Sequence, residues 1–256
     1  MLSNINVSLL KAKLYATAVH AIFTIAVAIL TAWVVYGLWY PNGLSGLSGG
    51  TELYKLVVLV ELCLGPLISL IIFNPEKSRK KLVCDYACVA IIQFSALAYG
   101  LYAVASARPV FLVFVKDRIE VVSAVELLDE DLALGDEKQF STRSFSGPVV
   151  ACYDRPTDSE ELSDIMFTAV AGKDVHLRPE YYRSCQSNEL VNNATKLSEL
   201  SLSSYETELV SELELKNSNA DLKSIPLSQT GRFWTLVFSD ERLDEFLVVP
   251  IDSYGR

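Results

Sequence analysis

Histidine is almost absent: the 256 residues contain two, His20 and His176. An H-E-x-x-H zinc helix is therefore impossible, and neither a G-x-x-x-x-G-K-[ST] nor a G-x-G-x-x-G phosphate loop occurs. Five cysteines are too few for a small disulfide scaffold, and none has zinc-site spacing. Cys84 and Cys88 lie one helical turn apart in an apolar run, where small buried thiols are the ordinary reading. No part of the chain is strongly basic, which argues against a nucleic-acid face. Carboxylates are abundant, but abundance without a pocket identifies no acid/base pair, so no enzyme is expected. Nothing in the pattern asks for a cofactor, a metal or a small-molecule substrate.

Charge is missing altogether from Leu14 to Thr51. Residues 1–107 carry 7 Lys/Arg and 4 Asp/Glu, whereas residues 108–256 carry 15 and 27, a net of −12. Such a division predicts a membrane anchor at 1–107 followed by a soluble domain at 108–256. About 20 apolar residues cross a hydrocarbon core of roughly 30 Å. Three runs qualify, at about 14–38, 56–73 and 86–107. The first is longer than a signal-peptide core and no A-x-A-like site precedes its exit, so it reads as retained. Lys11 and Lys13 precede span one, and Lys77, Arg79, Lys80 and Lys81 lie between spans two and three. Positive residues favour the cytoplasm, which places the N-terminus inside and residues 108–256 outside, in a bacterium the periplasm. Lipid contact is expected for the basic cluster and for Asp85 at the cytoplasmic boundary. Trp39-Tyr40-Pro41 reads as an interfacial turn.

Ionisable groups within spans need partners. With span two starting at Leu56, Glu61 lies near its outer end, at the depth of Tyr99 in span three, and the two are expected to pair. Gly65, Pro66 and Gln93 complete a candidate intramembrane contact with a partner helix. His20 stands alone, with no second ligand to suggest a metal.

The acidic domain reads as α+β with a mainly antiparallel sheet. A hairpin is expected from Val110–Val115 and Ile119–Val125, its first strand buried on both faces, and a further strand at Pro148–Tyr153. Asp158 or Thr157 can cap a helix with Leu162, Ile165, Met166, Ala169 and Val170 at helical spacing. Further helices are expected at 187–200 and 203–215, and a closing hairpin at 233–238 and 246–251. The group His176, Arg178, Tyr181 and Tyr182 reads as a surface loop. Cys152 and Cys185, the only cysteines of this domain, are expected to form a disulfide in an oxidising compartment.

Trp39-Tyr40-Pro41, Leu64-Gly65-Pro66-Leu67, Phe73-Asn74-Pro75-x-Lys77-Ser78-Arg79, Asp85, Gln93 with Ala96-Leu97-Ala98-Tyr99-Gly100, and Ala107-Arg108-Pro109-Val110 together resemble the TfpX/TfpZ family of type IV pilin accessory proteins. The likeness spans about residues 1–125 and is looser beyond. One departure is Glu61, where family members commonly carry Asp. The resemblance implies a non-enzymatic inner-membrane helper that promotes pilus assembly or extension and suits its own pilin type. Its partner would be the major type IV pilin or the inner-membrane assembly platform. A membrane-anchored periplasmic ligand-binding sensor is the alternative.

Overall fold

The computed structural model describes residues 7–186, 188–200, 203, 206–211, 222–239 and 242–252. The chain divides into two compact units: Met1–Gly37 with Gly50–Ala105, and Leu38–Gly49 with Ser106–Arg256. Its helices begin with α1 (Val7–Ala32), which continues as a π-helical turn over Trp33–Trp39. Then come the short α2 (Leu44–Leu47), α3 (Gly50–Ile72) and α4 (Arg79–Ser106). The three long helices are long and apolar enough to cross a membrane.

The first unit consists of these long helices. Tyr54 of α3 fastens that helix to α1 by hydrogen-bonding both Thr31 Oγ1, at 2.8 Å, and the Ala28 carbonyl. Helix α3 starts six residues before the apolar run alone suggests, because Glu52 and Lys55 are compatible with helix even though they are not apolar.

The second unit is built on a mixed eight-stranded sheet, and not the mainly antiparallel one expected. Strands β1 (Pro109–Val115) and β2 (Arg118–Ser123) form the anticipated hairpin. After the short α5 (Asp129–Leu132), β3 (Val149–Tyr153) returns parallel to β1. Helix α6 (Ser159–Val170) and two-residue β4 (Tyr182–Arg183) follow, with β4 antiparallel to β3. Helix α7 (Glu189–Asn193), β5 (Thr195–Lys196), β6 (Leu222–Gln229), β7 (Arg232–Ser239) and β8 (Arg242–Val249) complete the order. Strand β6 joins β2 in parallel and β7 antiparallel. The order is β4-β3-β1-β2-β6-β7-β8, with β5 paired to part of β6. Both parallel pairings bring together strands separated by long excursions, which local turn chemistry does not specify.

The 187–200 expectation is corrected. Only Glu189–Asn193 is α-helical there, because Thr195 and Lys196 pair with Ser224 and Lys223 of β6. Within 203–215 the described segment 206–211 is helical, while Glu212, Leu213, Glu214 and Leu215 lie outside the described residues, as do Ser187, Asp240 and Glu241. Strand β6 escaped detection because of its polar residues and Pro226. That proline falls between the β5 and β2 ladders, where a missing N–H costs neither of them a bond. Thr230 and Gly231 both take positive φ, the turn geometry that matches strand twist, and so set the β6–β7 register.

Both faces of β1 are buried. Phe111 and Val113 meet Leu127, Leu132, Phe140 and Tyr182 on one side. Leu112 and Phe114 share the other core with Ile225, Leu227, Leu236, Phe238 and Val248. Cys152 and Cys185 are bonded beside that second core, with Cα atoms 5.0 Å apart.

Two further members of that core come from the joint between α1 and α3. Leu44 and Leu47 of α2 are 0% and 1% exposed among the sheet side chains. Trp39-Tyr40-Pro41 is thus more than an interfacial turn. Tyr40 is buried, Trp39 meets Phe145 edge to face, and Gly147 donates its N–H to the Leu38 carbonyl at 2.6 Å. Ser48 Oγ donates to Gln229 Oε1 at 2.6 Å, and Arg232 Nη1 donates to the Leu47 carbonyl. Gly43 has φ +88°, and a Cβ there would stand 2.5 Å from the Val248 carbonyl oxygen. One at Gly46 would stand 2.6 Å from the Trp234 ring.

Burying two leucines is worth about 3–6 kcal/mol by area, as an upper figure. A fragment of residues 106–256 is therefore expected to melt well below the same domain in the intact protein. A synthetic peptide of residues 38–49, but not one with Leu44→Ser and Leu47→Ser, should raise its midpoint by mass action. Equal melting of fragment and intact domain, with no response to the peptide, would count against the joint as part of this core.

Candidate functional site

Within the long-helix unit, polar side chains from all three helices converge at one level. Glu61 is the central residue of α3, with eleven residues on either side in Gly50–Ile72. Gly65 and Ser69 follow at intervals of four, so all three share one face of the helix. The Gln93 side chain of α4 approaches the Glu61 carboxyl, and the two line the same cavity. His20 of α1 pairs through Nδ1 with Ser69 Oγ, and Ser69 is fully buried. Gly65 sits between these two pairs. A Cβ on it would lie 2.3 Å from Gln93 Nε2 and 3.1 Å from His20 Nε2. The glycine supplies the space that admits both polar side chains.

The expected Glu61–Tyr99 pairing is not formed, and Gln93 is the α4 side chain that approaches Glu61. The earlier start of α3 puts Glu61 at mid-helix, level with Gln93. Tyr99 lies six residues beyond Gln93, about 120° round the helix at 100° per residue, and is 76% exposed. Pro66 is half-buried inside α3, one residue and so about 100° away from the stripe of Glu61, Gly65 and Ser69. Of the five candidate contact residues, the structure brings Glu61, Gly65 and Gln93 together. It adds His20 and Ser69, which sequence reasoning left out. The signal available for Ser69 was its four-residue spacing from Glu61 and Gly65, and no such signal marked His20.

His20, Glu61 and Gln93 open on a cavity of about 600 Å³ lined by α1 from Tyr15 to Thr31 and by α4 from Tyr86 to Leu97, with Val57, Val58 and Glu61 of α3. Apart from His20, Glu61, Gln93, two threonines and two tyrosines, its lining is apolar. A carboxyl group has more acceptor capacity than one amide fills. Glu61 can therefore receive a further hydrogen bond from a group entering the groove. Among the described residues no group of three His, Cys, Asp or Glu side chains is placed to hold a metal.

At the α3–α4 turn, Lys77 Nζ bonds Asp85 Oδ2 at 2.6 Å and the Ile72 carbonyl at 3.2 Å. It thereby caps the negative end of α3 and joins it to the start of α4. Arg79, Lys80 and Lys81 are exposed. Between α1 and α3, the sequence Gly46-Leu47-Ser48-Gly49-Gly50 has the G-x-S-x-G spacing of hydrolase nucleophiles. Its setting is a joint between helices instead of the strand-to-helix turn that such nucleophiles need, and Ser48 Oγ is spent on Gln229.

Gly65→Ala should lower the thermal midpoint of the detergent-solubilised protein, at a cost of about 1–3 kcal/mol for overpacking. In a Gln93→Ala background, which removes the atom that the new methyl group meets, the same change should cost distinctly less. Strictly additive costs in this double-mutant cycle would contradict the packing described.

A model of the fimbrial assembly protein FimB family matches residues 8–49, which comprise almost all of α1 and the joint that enters the sheet core. The fimbrial assembly protein of serogroup I from Dichelobacter nodosus is 29% identical over 247 residues, covering 93% of this chain and 95% of that protein. Its serogroup E1 counterpart is 27% identical over 246 residues, with the same coverage of 93% and 95%. The fimbrial assembly protein of serogroups C1 and C2 is 34% identical over 116 residues, 45% of this chain and 88% of that protein. No solved structure matches. The chain belongs to the FimB family of fimbrial assembly proteins.

Proposed function

We propose that this protein is a non-enzymatic accessory protein of type IV pilus assembly, of the TfpX/TfpZ kind, which holds its cognate major pilin in the bacterial inner membrane before extension. The observation that carries the reading is the alignment with fimbrial assembly proteins over 93% of the chain, joints and outer domain included. The apolar groove with its polar floor fits that role. A single-span subunit can lay one row of side chains into it and place a donor against Glu61.

The topology is supported by the docked joint. Residues 38–49 and 106–256 contribute to one core, so both belong on the same side of the membrane. Three crossings by α1, α3 and α4 meet that requirement. The Lys77–Lys81 cluster then falls on the opposite side, and positive residues favour the cytoplasm. A bonded Cys152–Cys185 pair suits an oxidising periplasm. The sensor alternative gains nothing from the groove, whose walls belong to α1, α3 and α4 and not to the outer domain.

Deletion of the gene in a strain with its native pilin should abolish or strongly reduce surface pili. The wild-type chain should restore them, whereas Glu61→Leu, or a chain ending after α4, should not. Normal piliation after deletion would overturn the assembly role. The denatured, unreduced protein should show three reactive thiols, Cys63, Cys84 and Cys88, and five after reduction. Five before reduction would remove the disulfide and the support it lends to a periplasmic location.

A further inference from the structure

The polar atoms midway along the helical groove differ in what already occupies them. Thr24 donates to the His20 carbonyl and Thr31 to the Val27 and Ala28 carbonyls, so both threonines are spent on their own helix. Tyr15 and Tyr86 are the first residues of the stretches that α1 and α4 contribute, away from the middle. His20, Glu61 and Gln93 remain. A Cβ on Gly65 would meet Gln93 Nε2 and His20 Nε2 alike, so both nitrogens face the same small volume over that glycine.

Ser69 decides which nitrogen of His20 carries the proton. Its side chain is fully buried, and its Oγ pairs with His20 Nδ1. A buried hydroxyl gives its one proton to an acceptor. Thr24, Thr31 and Ser95 give theirs to a carbonyl one turn back. Among the described residues Ser69 makes no such bond, which leaves Nδ1 as the acceptor. An imidazole that accepts at Nδ1 carries its proton on Nε2. No group among the described residues accepts that proton.

Glu61 is the complement, since its carboxyl accepts more than Gln93 can fill. The groove thus offers one donor and one acceptor at one level between apolar walls. A lipid tail serves neither, and unpaired polar groups are costly at that depth. A second copy of this chain is a poor match. Its Ser95 hydroxyl is spent on the Ile91 carbonyl, and its Tyr99 lies about 9 Å along α4 from Gln93. A single helix suits the shape, because α1 lines the groove from Tyr15 to Thr31. That stretch is about 24 Å long, most of a hydrocarbon core.

We infer that His20, oriented by Ser69, is a specificity-determining donor of this groove. The helix it takes carries at mid-membrane one side chain that both accepts and donates, such as a carboxamide or a hydroxyl. The acceptor of that side chain meets His20 Nε2–H, and its donor meets Glu61. This rests on the proposed assembly role, which makes the entering helix the span of the pilin.

The test titrates the full-length cognate major pilin, span included, against the full-length protein in one detergent. Asparagine puts its amide nitrogen near the place of histidine Nδ1, and glutamine near that of Nε2. His20→Asn keeps a polar group beside Ser69 but loses the outward donor, and should raise Kd about fivefold, the worth of one interhelical hydrogen bond. His20→Gln keeps an outward donor and should stay within about twofold of wild type. A histidine that only fastens α1 to α3 gives the reverse order. Leucine at the polar position of the pilin span should cost little more once His20→Asn is present. In a His176→Gln background His20 is the one remaining histidine. Its nitrogen-15 NMR signals should show the Nε2–H tautomer, shift on adding pilin, and become those of a mixture in Ser69→Ala.

An Nδ1–H tautomer with Ser69 in place overturns the inference, as does asparagine binding as well as glutamine, or strict additivity with the pilin substitution. So does self-association that His20→Asn abolishes while pilin binding persists. Absence of any pilin binding, in a strain where deletion still removes pili, discards this contact and leaves the assembly role standing. Normal piliation after deletion removes the assembly role itself.

Discussion

Leu44 and Leu47 stand between two long apolar helices in sequence, yet they pack into the centre of a sheet core made by strands from the far end of the chain. The rest of the architecture follows from that burial. It recruits the joint into the second unit, and the neighbouring contacts accumulate around it: Tyr40 buried, Gly43 against Val248, Gly46 against Trp234, Ser48 on Gln229. A joint of ordinary surface-loop character would carry none of these constraints. The family match at residues 8–49 ends where this segment ends, which places the shared features on the first helix and the plug together.

The long helices and α6 dispose their polar side chains differently. Among the long helices, polar groups are few and level with one another: Gln93 beside Glu61, His20 bonded to Ser69, and Gly65 making the room. Unpaired, such groups are costly where water is scarce. Helix α6 is held inward by Ile165 together with the polar contacts to Arg178 and Tyr181, while Met166, Phe167 and Val170 are left outside.

The long helices were legible because hydropathy is a local property of the chain. The β1–β2 hairpin was equally legible, since its apolar runs flank the Lys116-Asp117 turn. The mixed character of the sheet was not, because β3 and β6 reach their parallel neighbours only after long excursions whose pairing no nearby residue specifies. The Glu61 partner was misplaced by a single boundary. Taking α3 from the first apolar residue instead of from Gly50 shifted its depth and pointed to Tyr99. The joint was read as a turn because its partners, Ile225, Leu236 and Val248 among them, are remote in sequence. Helix α6 shows the limit of periodicity. Its spacing gave the helix and the inward Leu162, Ile165 and Ala169, but not the exposure of Met166 and Val170.

The insertion of Leu44 and Leu47 also imposes an order on biogenesis. Both leucines are translated before α3, whereas Val248, which closes their slot, follows about 200 residues later. At roughly 5–20 residues per second of synthesis, the plug waits some ten to forty seconds for its socket. The sheet that buries these two leucines is therefore completed only after all three long helices have been synthesised.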